Sequence, residues 1–281
     1  MEVRDPAVAG AFYPFSKETV ESQLKELFGY WKIDSSKLRA RRRIGCLGVV
    51  APHAGYDYSG YVAARVYADV PKVDTVILMG PNHYGVGPDV SVSDADAWRT
   101  PLGVVKVDKA VADEIVKGGI AENDNSAHVR EHSIEVHLPF LQTTLGEFKI
   151  VPISIKHYAP EGEFLKVCQA LGKSIASAAK KSKKKILIVA STDFTHYEPQ
   201  KTAEYKDNAA MTAIEKLDEV GLFRTVADRN ISMCGYAGVA AAIVACRELG
   251  AKKAEKVAYM TSGDTTGDTS AVVGYGGLRI V

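Results

Sequence analysis

Apolar residues fall along this chain in two ways, as short unbroken runs and as spaced stripes, and the two kinds alternate. The runs at 46–51, 75–79, 149–155 and 186–190 are too continuous to leave a wet face. They are expected as strands buried on both sides. Between and after them, apolar positions recur every three or four residues, which predicts helices near 59–69, 108–117, 163–180, 201–217 and 236–249. SKETVESQLKELF (16–28) predicts a helix capped by Ser16, and 271–281 reads as a closing strand. Strand alternating with helix predicts an α/β chain: one three-layer domain over 1–281, with a mostly parallel central sheet flanked by helices. The basic segment RARRR (39–43) reads as a linker into the first core strand. No internal repeat or low-complexity tract interrupts the pattern.

Three of the apolar runs end in a histidine within a few residues. IGCLGVVAPHAG (44–55) leads to His53, VILMGPNHYG (76–85) to His83 and KILIVASTDFTH (185–196) to His196. In an open parallel sheet, ligands bind outside the carboxyl ends of the strands. If these strands are neighbours, the three rings converge on one crevice. Glycine and proline flank two of them and restrict where they point.

Two neutral imidazoles and one further ligand make a facial metal site with open positions. Cys234, in SMCGYAG just before the helix at 236, is the best-placed third ligand. A thiol at a helix start is expected to ionise more readily, and Gly235 and Gly238 allow close backbone approach; a small buried hydrophobe is the alternative for Cys234. Cys46, Cys168 and Cys246 sit inside expected strands or helices and read as core. In STDFTHYE (191–198), Asp193 stands three residues before His196 and can orient its ring, making His196 a ligand or a general base; an Asx turn explains Asp193 equally.

AHVREHSIEVHLPF (127–140) contains H-x-x-E-H at 128–132, the spacing of a zinc-protease helix. Pro139 argues against a long helix here, and that motif leaves the strand-end histidines unexplained. Glu131, His132, Glu135 and His137 can instead form one wall of the crevice; a solvated helix start explains His128 and His137 as well. GDTTGDTS (263–270) lacks both common phosphate-loop patterns and reads as a turn that edges the pocket.

Composition narrows the function. With 46% hydrophobic and 25% charged residues and a formal charge of +1, the chain is ordinary for a globular protein and carries no electrostatic case for nucleic acid or an anionic membrane. No apolar stretch is long enough for a membrane span. The N-terminus lacks an apolar signal core and the cysteines form no C-x-x-C pair, so a cytoplasmic location with reduced thiols is expected.

In order, AGAFYP, APHAGYDYSG, GPNHYG, WRTPLG, EHSIEVHLPF, STDFTHYE, MCGYAG and SGDTTGD resemble the Memo family over roughly residues 9–275. That family is similar in fold to the class III extradiol dioxygenases. The resemblance implies metal ligands at His53, His83 and Cys234, a catalytic base at His196 with Asp193 beside it, and a pocket-lining His132. Tyr56, in PHAGY, and Glu131 are expected in the substrate pocket. Cysteine where the dioxygenases have glutamate favours iron, copper or zinc over an oxygen-loving metal; no nucleotide cofactor is expected. The resemblance further implies iron or copper redox chemistry, phosphopeptide binding in animal relatives, and in archaea and bacteria a partnership with a radical-SAM protein and another small conserved protein.

Three functions fit these residues: a metal-dependent oxidoreductase of a small-molecule or peptide ligand; a binding module in which Arg99 and Arg130 hold a phosphorylated ligand; and a metal-free hydrolase with Cys234 as nucleophile, His196 as base and Asp193 as orienter. The residues favour the first.

Overall fold

The long apolar runs become central strands because alternate residues enter two separate cores. Val50, Ile77, Met79, Val151, Ile153, Ile188 and Ala190 face one core, while Val49, Ala51, Val76, Leu78, Ile150, Leu187 and Val189 face the other. The computed structural model describes residues 2–40 and 45–281, so residues 41–43 of the expected basic linker lie outside the described part.

In chain order the elements are β1 (Val3–Arg4), α1 (Lys17–Tyr30), β2 (Gly48–Ala51), α2 (Tyr56–Tyr67), β3 (Thr75–Asn82), β4 (Val90–Val92), β5 (Ala97–Thr100), β6 (Gly103–Lys106), α3 (Lys109–Val116) and β7 (Glu122–Asn123). They continue with α4 (Leu138–Leu145), β8 (Lys149–Lys156), α5 (Gly162–Ser182), β9 (Ile186–Ser191), β10 (His196–Glu198), α6 (Gln200–Glu215), α7 (Glu219–Asp228), α8 (Tyr236–Glu248), β11 (Ala254–Thr261), α9 (Ser262–Thr266) and β12 (Val272–Ile280). Helices α3, α5, α6, α7 and α8 cover the first core and α1, α2 and α4 the second, giving three layers.

The large sheet runs β10-β12-β2-β9-β3-β8-β4-β7, with β11 beside β12. Its centre, β2-β9-β3-β8, is parallel. Its flanks are not: β12 meets β2, β10 and β11 antiparallel, and β4 meets β8 antiparallel. The sheet is therefore mixed, and the expected mostly parallel sheet holds for its centre. A small separate sheet orders β1-β5-β6.

Strand β3 continues through Pro81, past the expected stop at Gly80. Beyond Met79 it pairs only with β8, and the Pro81 carbonyl accepts the Ser133 hydroxyl at 2.9 Å. Proline's missing N–H is tolerated where a strand has become an edge. Among the described residues, no helix is long and apolar enough to cross a membrane.

Candidate metal centre at the strand ends

Strands β2, β9 and β3 lie side by side, and each hands the chain to a polar residue at its carboxyl end. His53 comes two residues after β2, Asp193 two after β9 and His83 directly after β3. The His53 and His83 ring centroids are 5.3 Å apart. Cys234 arrives from the turn before α8 and puts Sγ 3.3 Å from His53 Nε2. Gly235 makes this approach feasible: a Cβ there would lie 2.1 Å from the Ser191 carbonyl oxygen. One donor atom each from His53, His83 and Cys234 lies within 4.8 Å of the other two. Metal–nitrogen and metal–sulfur bonds of about 2.0–2.3 Å at tetrahedral angles separate ligand atoms by roughly 3.3–3.8 Å, so only a small adjustment is needed to hold one ion.

Each ring is anchored through its other nitrogen. Glu131 accepts His83 Nδ1–H at 2.9 Å and the His83 amide at 2.7 Å. His53 Nδ1 meets Ser191 Oγ at 2.7 Å, and the His53 amide donates to Asp193 Oδ1 at 2.8 Å. Metal-binding histidines are commonly oriented in this way. A second cluster, His83, Glu131 and His132, also brings donor atoms together. Its carboxylate is already engaged by His83 and by the amides of His132 and Ser133 at 2.9 Å each, so Glu131 acts as an orienting group rather than a free ligand.

His196 opens β10 and is held by Ser232. Its Nδ1–H donates to the Ser232 carbonyl at 2.8 Å and its amide to Ser232 Oγ at 2.7 Å, leaving Nε2 to face the cavity. The orienting bond expected from Asp193 is thus supplied by Ser232, and Asp193 serves the His53 side. Tyr197 follows in the left-handed region at φ 59, a conformation that costs a non-glycine residue about 1 kcal/mol or more and turns the chain sharply after the ring.

A cavity of about 950 Å³ opens over His83, His196 and Cys234, between Pro81, Tyr158, Ala227 and Ile231. His132 lies beside it, stacked on His83 at 4.6 Å and tilted against Phe12 at 4.5 Å. Tyr56 does not line it: its ring packs against Phe140 in the second core and its hydroxyl donates to the Val136 carbonyl at 2.6 Å. Arg99 pairs with Asp5, and Arg130 lies over the Tyr84 ring. The expected solvated positions His128 and His137 are both buried. Residues 128–132 are not helical, which removes the zinc-protease geometry. The first half of GDTTGDTS lies in the short helix α9, which has its capping box at Thr261 and its C-cap at Gly267, and the motif does not edge this cavity.

One contributor was missed. His157 lines the cavity directly after β8 and reaches the Cys234 carbonyl; it obeys the same strand-end pattern as His53 and His83. His137, expected as part of the crevice wall, lies behind it and contacts Ser191, 54 residues away.

A sequence model of the Memo-like protein family matches residues 4–279. The chain belongs to the Memo-like family. It is 44% identical to a MEMO1 family protein of Methanosarcina barkeri over 99% of this chain and 100% of that one. Identity is 43% with one of Methanosarcina acetivorans, over 100% of both chains, and 42% with one of Methanopyrus kandleri, over 98% of both. The fold is similar to the crystal structure of an uncharacterized Escherichia coli K12 protein, at 11% identity and a TM-score of 0.53, covering 83% of this chain and 99% of that one.

The charge states of this Memo-like site follow from burial. Burial lowers His53 well below the usual histidine value, with the neighbouring rings adding to it. It lowers His137 to about 3 and both His128 and His132 to about 4. Burial pushes Glu131 up, but the hydrogen bond and charge of His83 outweigh it and hold the carboxyl at about 2. Burial raises Asp193 and Asp207. Burial, then the Asp193 charge, pushes the Cys234 thiol up. This reverses the expected lowering: a helix start contributes about 0.3–1 kcal/mol, less than the cost of a buried thiolate. A bound cation would reverse the order again, since a coordinating thiol is deprotonated outright.

The buried histidines predict acid lability of the metal-free protein. Below about pH 6.5 a histidine of the unfolded chain takes up a proton, whereas His53, His128, His132 and His137 stay neutral in the fold. The unfolded chain then binds more protons, so stability falls as pH falls. Asp193 and Asp207 act oppositely, being protonated first in the fold. With four histidines held neutral against two raised carboxyls, and Glu131 held low as well, the balance favours proton uptake on unfolding, and stability falls as pH falls below about 6.5. Urea unfolding at pH 7, 6 and 5 checks this; a flat or rising stability towards acid contradicts it.

Proposed function

We propose that the protein is a metal-dependent oxidoreductase in which His53, His83 and Cys234 hold iron or copper and leave positions open for an oxidant or substrate. The observation that carries this reading is the donor set itself: two imidazoles with Nδ1 anchored, beside a sulfur that lies 3.3 Å from His53 Nε2 and accepts the Asp193 amide. A mixed nitrogen and sulfur set suits iron, copper or zinc, and a redox-active ion would supply electron transfer at the open positions.

The protein's own groups have separable tasks. The cavity walls exclude water and take the substrate. His196, with Nδ1–H tied to Ser232, presents Nε2 as a base for a substrate proton. Glu131 and Ser191 hold the two ligand rings in register, and Asp193 holds the His53 backbone.

The cavity's composition weighs against a phosphorylated ligand. Among the described residues, no lysine or arginine lines it, whereas phosphate recognition relies on such groups. The hydrolase reading loses support from the raised Cys234 thiol, which faces His53 rather than His196.

Anaerobic titration of metal-free protein with iron(II), copper(I) and zinc(II) tests the proposal. One equivalent should bind per chain, and Glu131→Gln should weaken binding about 10- to 100-fold by freeing the His83 ring. Equal affinity in both proteins would remove Glu131 from the scheme, and no binding of any of the three ions would remove the site.

A further inference from the structure

Ser191 Oγ is fully buried and touches three polar atoms: the Ser133 carbonyl oxygen at 2.6 Å, His53 Nδ1 at 2.7 Å and His137 Nε2 at 2.7 Å. A serine hydroxyl has one proton and two lone pairs. The Ser133 carbonyl can only accept, so the hydroxyl proton belongs to that contact. Both imidazoles must then bring their own protons to Ser191. His53 is therefore protonated at Nδ1 and His137 at Nε2. The far nitrogen of His137 is compatible with this: its Nδ1 lies 2.9 Å from the Tyr67 hydroxyl, which can donate into it.

We infer that Tyr67, His137 and Ser191 form a buried tautomer lock, in which Ser191 and His137 are positioning residues that keep His53 Nε2 as a lone pair directed at Cys234 and the metal position. The metal part of this statement rests on the function proposed above. The proton order stands on the contacts alone.

Burial makes the order hard to break. Tyr67, His137, Ser133 and Ser191 are all closed to solvent, and a reversed Ser191 hydroxyl would leave the Ser133 carbonyl without this donor at a site where buried polar groups need partners. Without the lock, His53 has a competing arrangement, protonated at Nε2 and donating to Cys234 Sγ at 3.3 Å. That tautomer cannot bind a cation through Nε2. The lock also joins the two ligand rings. The Ser133 amide donates to Glu131, which holds His83, while the Ser133 carbonyl takes the proton of Ser191, which holds His53.

The test is long-range proton–nitrogen NMR of the histidine rings in ¹⁵N-labelled protein, metal-free and with zinc(II), for the wild type and Ser191→Ala. In metal-free wild type, His53 should carry its proton on Nδ1 and His137 on Nε2. In Ser191→Ala, His53 should shift towards Nε2–H, and zinc affinity should fall about 10- to 100-fold. His137→Gln, whose amide can still donate to Ser191 and accept from Tyr67, should keep the wild-type His53 tautomer. A wild-type His53 protonated on Nε2 overturns the inference, as does a Ser191→Ala protein whose His53 stays fully on Nδ1–H. If Ser191→Ala fails to fold, the wild-type tautomers of the two rings decide alone. Wild type with the expected tautomers but no affinity for zinc, iron(II) or copper(I) would defeat the proposed function while leaving the lock in place.

Discussion

Replacing His83 with alanine is expected to weaken metal binding about 10²- to 10³-fold while leaving the protein folded. A structural zinc site contributes about 10–16 kcal/mol shared among four ligands, so one ligand accounts for roughly 3–4 kcal/mol, and each 1.4 kcal/mol is a factor of ten. His83 is the clean choice among the three. Its side chain is 32% exposed, so its loss opens no sealed void, and Glu131 keeps the amides of His83, His132 and Ser133 as donors. His53→Ala confounds the test, because that ring is buried and its removal takes a donor from Ser191. Chelator competition on wild type and His83→Ala measures the effect; affinities within a factor of two would exclude His83 as a ligand.

The largest expected stability effect lies at the N-terminus. Arg4→Met should destabilise the protein by about 3–5 kcal/mol, the usual cost of removing one partner of a buried ion pair. The Arg4 and Glu135 side chains are 6% and 0% exposed and bonded to each other. Arg4 also donates to the carbonyls of His128 and Glu131, while Glu135 accepts the amides of Ala7 and Val8 and the Tyr13 hydroxyl. This clamp fastens the N-terminal segment to residues 128–135, and that segment carries Phe12 onto His132. Methionine keeps an unbranched apolar side chain but removes the guanidinium from over Trp98 and leaves the carboxylate without its cation. Urea unfolding at pH 7 reads the difference. A change below about 1 kcal/mol would show that the amides and the Tyr13 hydroxyl alone satisfy Glu135.

The parts of the fold legible in the sequence are those with one strong cause. Strands β2, β3, β8 and β9 are buried on both faces, so their residues read as unbroken apolar runs. Strand β11, AEKVAYMT, has a half-wet face and a mixed pattern, and it was missed together with the short strands β4, β7 and β10. Leaving out β4, β10 and β11, each antiparallel to the strand it joins, makes the sheet look more parallel than it is. Helix α2 begins at Tyr56, earlier than the stripe from 59 suggests, because Gly55 ends the preceding turn and Tyr56 enters the core.

The site divides in the same way. His53 and His83 were legible because a strand end followed by glycine or proline leaves few directions for a ring, and the same reasoning extends to His157. Cys234 was placed correctly by its helix, but its charge state was misjudged because burial is a property of the packed fold. Ser191 and Ser133 look like ordinary polar residues, and His137 like one of several candidates for the crevice wall. Their significance lies in contacts across 54 to 138 residues, which no local spacing encodes. Tyr56 shares a motif with His53 yet, as the first residue of α2, packs its ring into the second core.

The central claim is that one metal ion sits among His53, His83 and Cys234. The most direct test is the metal content of protein purified without oxygen and without a chelating tag, measured by elemental mass spectrometry for wild type and His83→Ala. The account predicts close to one iron or copper per wild-type chain and a large loss in the variant. Absence of metal from the wild type, persisting after reconstitution with iron(II), copper(I) and zinc(II), would contradict it.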